Sequence, residues 1–157
     1  MLSLTKSRLL GGLLTIGLAG LAAVAFAQDK DAVIKNRADA MRQQLKDVLS
    51  VKAYLDDKGD LAAAQAGATN LVPAVKKVPD LFPPGTSGPD PTGKWAAKPE
   101  IWSDWNKFLA GQKTVTDKVD ALVVAVKGGS KDAIKVAYED LGVCKDCHTS
   151  FREKLKD

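Results

Sequence analysis

Outside one proline-rich segment, the apolar residues of this chain recur in steps of three and four, the mark of helices with one face turned inward. From Asp31 to about Asp56 the stripe is Ile34, Ala38, Met41, Leu45, Val48 and Leu55. Asp57-Lys58-Gly59 ends it, with Gly59 suited to a left-handed cap, and Asp60 is placed to cap the next helix. A second stripe, Leu61, Ala64, Ala68, Leu71 and Val75, uses small residues that permit close helix approach. The third helix opens at Pro99-Glu100 and carries Trp105, Phe108 or Leu109, Gln112, Val115, Val119, Leu122 and Val126. Gly128-Gly129 stops it and Ser130 caps the fourth. On that last helix Ile134, Ala137, Leu141, Cys144, His148, Phe151 and Leu155 share one face.

Between the second and third helices, residues 79–99 hold six of the chain's seven prolines, and Pro83-Pro84-Gly85 and Pro89-Asp90-Pro91 forbid regular structure. Neither flank could bury a core alone, so this is a long connection inside one domain. Four helices, two tight turns and one long Pro/Gly-rich crossing predict an all-α, antiparallel four-helix bundle. Only 6% of the residues are aromatic and β-branched runs are short, which disfavours a β-sandwich or barrel.

Residues 1–27 read as a secretory leader. Lys6 and Arg8 precede an uncharged apolar run, Leu9–Val24, and Ala25-Phe26-Ala27 fits a small-x-small cleavage site. Cleavage there leaves residues 28–157 as a single domain with no membrane span, and the expected location is the periplasm. Of the 23 basic residues, Lys6 and Arg8 depart with the leader, so 21 face 19 acidic ones. A nearly neutral chain without a basic block interleaved with aromatics is not a nucleic-acid binder.

The chain has two cysteines and one histidine, and all three fall in Cys144-Lys145-Asp146-Cys147-His148. Cys-x-x-Cys-His is the signature of covalent haem c attachment. Two thiols add across the two haem vinyl groups as thioethers, and the next residue brings an imidazole nitrogen to the iron. Positions i, i+3 and i+4 of a helix share a face, so all three groups can meet one edge of a flat macrocycle. A thioredoxin-like redox pair would belong near a βαβ unit, and a Cys144–Cys147 disulfide would close too small a loop to stabilise much. These are the only thiols of an exported chain, followed directly by its only histidine. That combination predicts one haem c, with Cys144 and Cys147 as thioethers and His148 as the proximal iron ligand.

The lone histidine excludes bis-histidine ligation within the chain. Met41, the only methionine after the initiator, stands on the inward stripe of the first helix. Its thioether either ligates the iron, giving a low-spin centre suited to electron transfer, or packs against an open haem face. Lysine is a third option, and spacing does not choose among them.

The chain beyond the leader resembles the cytochrome c′ family, the class II c-type cytochromes. The haem motif lies near the C-terminus, on the last of four bundle helices, and is followed by an aromatic and a basic residue, Phe151-Arg152. Ile34-Lys35-Asn36-Arg37 with Met41 four residues on is similar to that family's first helix. Pro99-Glu100-Ile101-Trp102 after Phe82-Pro83 is similar to its third-helix entrance. The resemblance implies that Arg37 lies near a haem propionate and Arg152 beside the proximal imidazole. It also implies a possible homodimer through the first two helices. One branch of the family is five-coordinate, high-spin and binds NO or CO; in the other a first-helix methionine ligates and the protein carries electrons. Methionine at the branching position is compatible with both.

The leading expectation is a carrier of single electrons between periplasmic or membrane-bound redox proteins, with Lys145 and Lys154 as docking charges for an acidic partner. The alternative is an NO- or CO-binding protein with an open distal face. An enzyme, such as a peroxidase, is not expected, since the first helix's inner face offers no distal histidine or acid for O–O cleavage. Trp102, Trp105 and Phe108 read as core rather than as porphyrin contacts.

Overall fold

The computed structural model describes residues 29–156, so the leader and cleavage site expected at 1–27 lie outside the described residues. The helical stretches form the expected four-helix bundle. α1 (Lys30–Leu55) starts at Asp29, whose carboxylate accepts from the Asp31 amide at 3.0 Å. α2 (Leu61–Lys76) starts at Asp60, which accepts from the Ala63 amide at 2.7 Å. These side chains satisfy amides that the first helical turn leaves without partners. Among the described residues no helix is long and apolar enough to cross a membrane.

The α1–α2 turn differs from its expected geometry. The left-handed residue is Asp57, at φ 59°, and not Gly59. A short polar side chain tolerates that region, and Gly59 serves close packing, since a Cβ there would lie 3.2 Å from the Ala53 Cβ. Gly67 has the same use on a larger scale: a Cβ would collide with Ser50 Oγ and lie 2.6 Å from the Asp47 carbonyl oxygen. The small stripe Ala64, Gly67 and Ala68 lets α1 and α2 approach closely, as expected. At this crossing Asp47 is buried, with the Gln43 and Asn70 amides donating to it at 3.4 Å. The buried side of α1 therefore does carry an acid, although it lies off the cavity described below.

The third and fourth helices are each broken. A short α3 (Glu100–Ser103) precedes α4 (Trp105–Gly128), because Asp104 leaves the helical region at φ −129°, ψ 56° and caps α4 through the Lys107 amide at 3.2 Å. Gly129, left-handed at φ 75°, ends α4, and Ser130 caps α5 (Lys131–Asp140) through the Ala133 amide. A turn at Leu141–Gly142 separates α5 from α6 (Val143–Phe151). Leu155 lies beyond the last helix and not on its stripe.

The connection also differs from the expectation of no regular structure. After a 3₁₀ turn at Pro79–Leu81 it forms a small hairpin, β1 (Gly88–Pro89) and β2 (Trp95–Ala97). β3 (Arg152–Lys154) extends straight from α6 and pairs antiparallel with β2, giving the order β1-β2-β3. Pro89 is tolerated because it lies on an edge strand, where a missing amide interrupts no ladder.

Two apolar clusters fill the bundle. Val51, Ala64, Ala68, Leu71, Val75, Val115, Val119, Leu122, Val126, Ile134 and Leu141 make the larger. The second contains Val78, Phe82, Ile101, Phe108 and Phe151, with Met41, Trp102, Trp105 and Cys147 packed on it. Trp102 Nε1 donates to the Phe82 carbonyl at 2.9 Å, and Phe108 packs edge-on against Phe82 and Phe151. Trp102 and Trp105 are thus core, Phe108 both belongs to the core and lines the cavity described below, and of Phe108 and Leu109 it is Phe108 that points inward. Leu45 departs from its expected place: 56% exposed, it borders a cavity instead of filling the core.

Candidate functional site

A cavity of about 760 Å³ opens between α1, α4, α6 and the hairpin, within the size range of small-molecule sites. Cys144, Cys147 and His148 all line it, because α6 presents positions i, i+3 and i+4 on one side. Both thiols are free and half-buried. Burial raises the pKa of each, and at Cys147 the nearby Cys144 adds to the effect. Burial lowers the pKa of His148, and the positive charge of Arg152 lowers it further. Both effects favour the neutral imidazole, the form that ligates iron.

The opposite wall is α1, which brings Arg37, Ala38, Met41 and Leu45 to the same space. Leu71, Val75, Val115 and Val119 close its floor, so most of the lining is hydrocarbon. The lining also carries polar groups, among them Arg42, Gln44, Asp90, Thr92 and Lys94, and Gln112, whose amide Nε2 donates to the Val75 carbonyl. The two thiols, the imidazole and an apolar chamber suit a large flat hydrophobic group held at one edge. Among the described residues no group of three or more His, Cys, Asp or Glu side chains is arranged to hold a bare metal ion.

Arg37 is buried, at 6% exposure, and not a solvated surface charge. Its Nη2 donates to the Thr86 carbonyl at 3.0 Å, and its Cζ lies 4.5 Å from the Phe82 ring centre. Burial lowers its pKa, yet among the described residues no carboxylate pairs with it. A buried cation on a cavity wall without an internal counter-charge fits an anionic group on whatever occupies the cavity. Arg152 lies on the other side, its Cζ 4.1 Å from the centre of the Trp95 ring. Sequence reasoning missed Thr86 and Trp95. No periodicity marks either, although an isolated tryptophan in a Pro/Gly-rich stretch was a signal.

A family model for cytochrome c′ matches residues 32–152. The chain belongs to the cytochrome c′ family. It is 36% identical over 145 residues to the cytochrome c′ of Cereibacter sphaeroides, covering 90% of this chain and 97% of that one. It is 33% identical over 132 residues to that of Alcaligenes xylosoxydans xylosoxydans, covering 82% and 98%. A solved cytochrome c′ from Rhodobacter superposes with a TM-score of 0.70 at 32% identity, covering 82% of this chain and 99% of that one. The nitric oxide complex of a point mutant of cytochrome c′ from Alcaligenes xylosoxidans gives 0.72 at 28% identity, covering 83% and 99%. A carbon monoxide-bound variant of the same protein gives 0.71 at 28%, covering 81% and 98%. Cytochromes c′ carry covalently attached haem c with its iron, and they bind gases or carry electrons without being enzymes.

Proposed function

We propose that this cytochrome c′ is a haem protein that binds NO or CO at an open coordination position. Cys144 and Cys147 form the thioethers and His148 is the only protein ligand to the iron. The single observation carrying the reading is the site itself: His148 lines a cavity whose α1 wall carries Ala38, Met41 and Leu45 and, among the described residues, no histidine, carboxylate or lysine. The relatives solved with nitric oxide and carbon monoxide support it. Gas binding is the chemistry the bound haem supplies; the chain's part is to leave room, exclude water and hold one imidazole. Ala38, Met41 and Leu45 on α1 restrict that room to a small apolar ligand. Arg37 neutralises a propionate, for which a guanidinium makes bidentate hydrogen bonds.

Electron carriage with Met41 as sixth ligand is the second reading, and it is favoured by Met41 sharing the cavity with His148. Packing of Met41 on the Phe108–Phe151 cluster supports the space-filling role instead. Localisation in the periplasm follows from the leader at 1–27 and is part of the proposal.

The test is the absorption spectrum of oxidised and reduced protein, the latter before and after CO. A high-spin spectrum that shifts promptly with CO is expected. A low-spin spectrum with a methionine–iron charge-transfer band, unmoved by CO, would establish the second reading.

A further inference from the structure

The hairpin inserted between the second and third helices reaches the segment that leaves the haem helix, and its one aromatic side chain is placed against a cation there. We propose that Trp95 is a positioning residue: it fixes the Arg152 guanidinium so that a permanent positive charge stands beside the His148 imidazole. The inference rests on the reading of His148 as the iron ligand.

The geometry comes from the strand register. β2 and β3 pair with Trp95 opposite Lys154 and Ala97 opposite Arg152, which makes Trp95 and Arg152 diagonal neighbours on one face of the ladder. Two further backbone bonds bracket the pairing. The Lys98 amide donates to the Phe151 carbonyl at 3.0 Å, and the Leu155 amide donates to the Lys94 carbonyl at 2.9 Å. The strand is thereby locked to the end of α6, and Arg152 Cζ comes to lie 4.1 Å from the indole ring centre. Tryptophan offers the strongest aromatic face for a cation. Among the described residues no carboxylate lies within ion-pair distance of Arg152, so its charge is oriented but not neutralised. Trp95, Arg152 and His148 line one cavity, and Arg152 caps the helix that carries His148, four residues beyond it.

A fixed cation at this place acts on the imidazole electrostatically. It disfavours positive charge on the imidazole and, with a metal bound there, would disfavour that metal's more positive oxidation state. Freed from the indole, a long arginine side chain would spread its charge into solvent, where it counts for less.

Four forms of the matured holoprotein test this: Trp95→Leu, Trp95→Phe, Arg152→Gln and the Trp95→Leu/Arg152→Gln double variant. In the CO-bound reduced protein the Arg152 Nε–H proton resonance is expected upfield in the wild type, shifted by the indole ring current. It should return to its ordinary position in Trp95→Leu and stay partly shifted in Trp95→Phe. The midpoint potential is expected to fall in Trp95→Leu and in Arg152→Gln, with the double variant no lower than Arg152→Gln alone. Trp95→Phe should stay near wild type. A ring shift missing from the wild type, or a Trp95→Leu fall that persists undiminished beside Arg152→Gln, would overturn the inference while leaving the haem reading intact. Absence of the iron–imidazole stretching band from reduced wild-type protein would overturn both.

Discussion

Arg37 donates to both oxygens of Thr86, at 3.0 Å from Nη2 to the carbonyl and 3.4 Å from Nη1 to the hydroxyl. Thr86 in turn donates its hydroxyl to the Pro83 carbonyl at 2.8 Å, so a residue of α1 fixes the start of the long connection. Replacing Arg37 with Leu leaves the Thr86 carbonyl buried without its donor, a loss of about 1–3 kcal/mol. Chemical denaturation should show a lower midpoint with an unchanged slope. If Arg37 also meets a propionate, the reduction potential should fall as well, and Arg37→Lys should restore part of it.

Met41 decides between the two readings of the site. On the gas-binding account Met41→Ala leaves the high-spin spectrum unchanged and speeds CO association, because it removes bulk from the far wall. A wild-type low-spin spectrum turned high-spin by this substitution would show that the thioether ligates.

Gly67 sits where α1 and α2 approach most closely, with no room for a methyl group beside Ser50 and the Asp47 carbonyl. Gly67→Ala should therefore destabilise the fold by roughly 1–3 kcal/mol, as overpacking does elsewhere. Urea unfolding followed by circular dichroism measures this. An unchanged midpoint would mean that the helices separate freely.

The hairpin turn has its own pH dependence. Burial works to raise the Asp90 pKa, but hydrogen bonds from the Thr92 side chain and amide, with further help from the Trp95 and Lys94 backbone, hold it below the ordinary carboxylate value. The Thr92 hydroxyl donates to it at 2.6 Å. A folded pKa below the unfolded one gives stability that is present above the unfolded value, near pH 4, and lost as pH falls through the depressed value. Asp90→Asn should accordingly lower the melting temperature at pH 7. The two curves should converge in acid, below both values.

Periodicity made the bundle legible, since every stripe residue from Val115 to Val126 lies in the core. Cys144, Cys147 and His148 stood out in the sequence because covalent haem attachment would need those groups at that spacing, and the fold brings all three to one cavity. The hairpin was not. Its strands are two and three residues long and depend on β3, a partner more than fifty positions away, which no local pattern announces. A similar distance hid the Trp95–Arg152 stack, and one of 49 positions hid the Arg37–Thr86 bond. Leu45 followed the helical stripe correctly, but a stripe says which residues share a face and not whether protein or a cofactor covers it. Asp57 took the left-handed place expected of Gly59 because packing on Ala53 used the glycine for its size.

The most direct measurement is the intact mass of the protein purified from an exporting host able to mature haem c, taken after denaturation. The account predicts one species heavier than residues 28–157 by a single haem, losing covalent retention when Cys144 and Cys147 are both changed to Ser. A colourless protein with the mass of the bare polypeptide would contradict it.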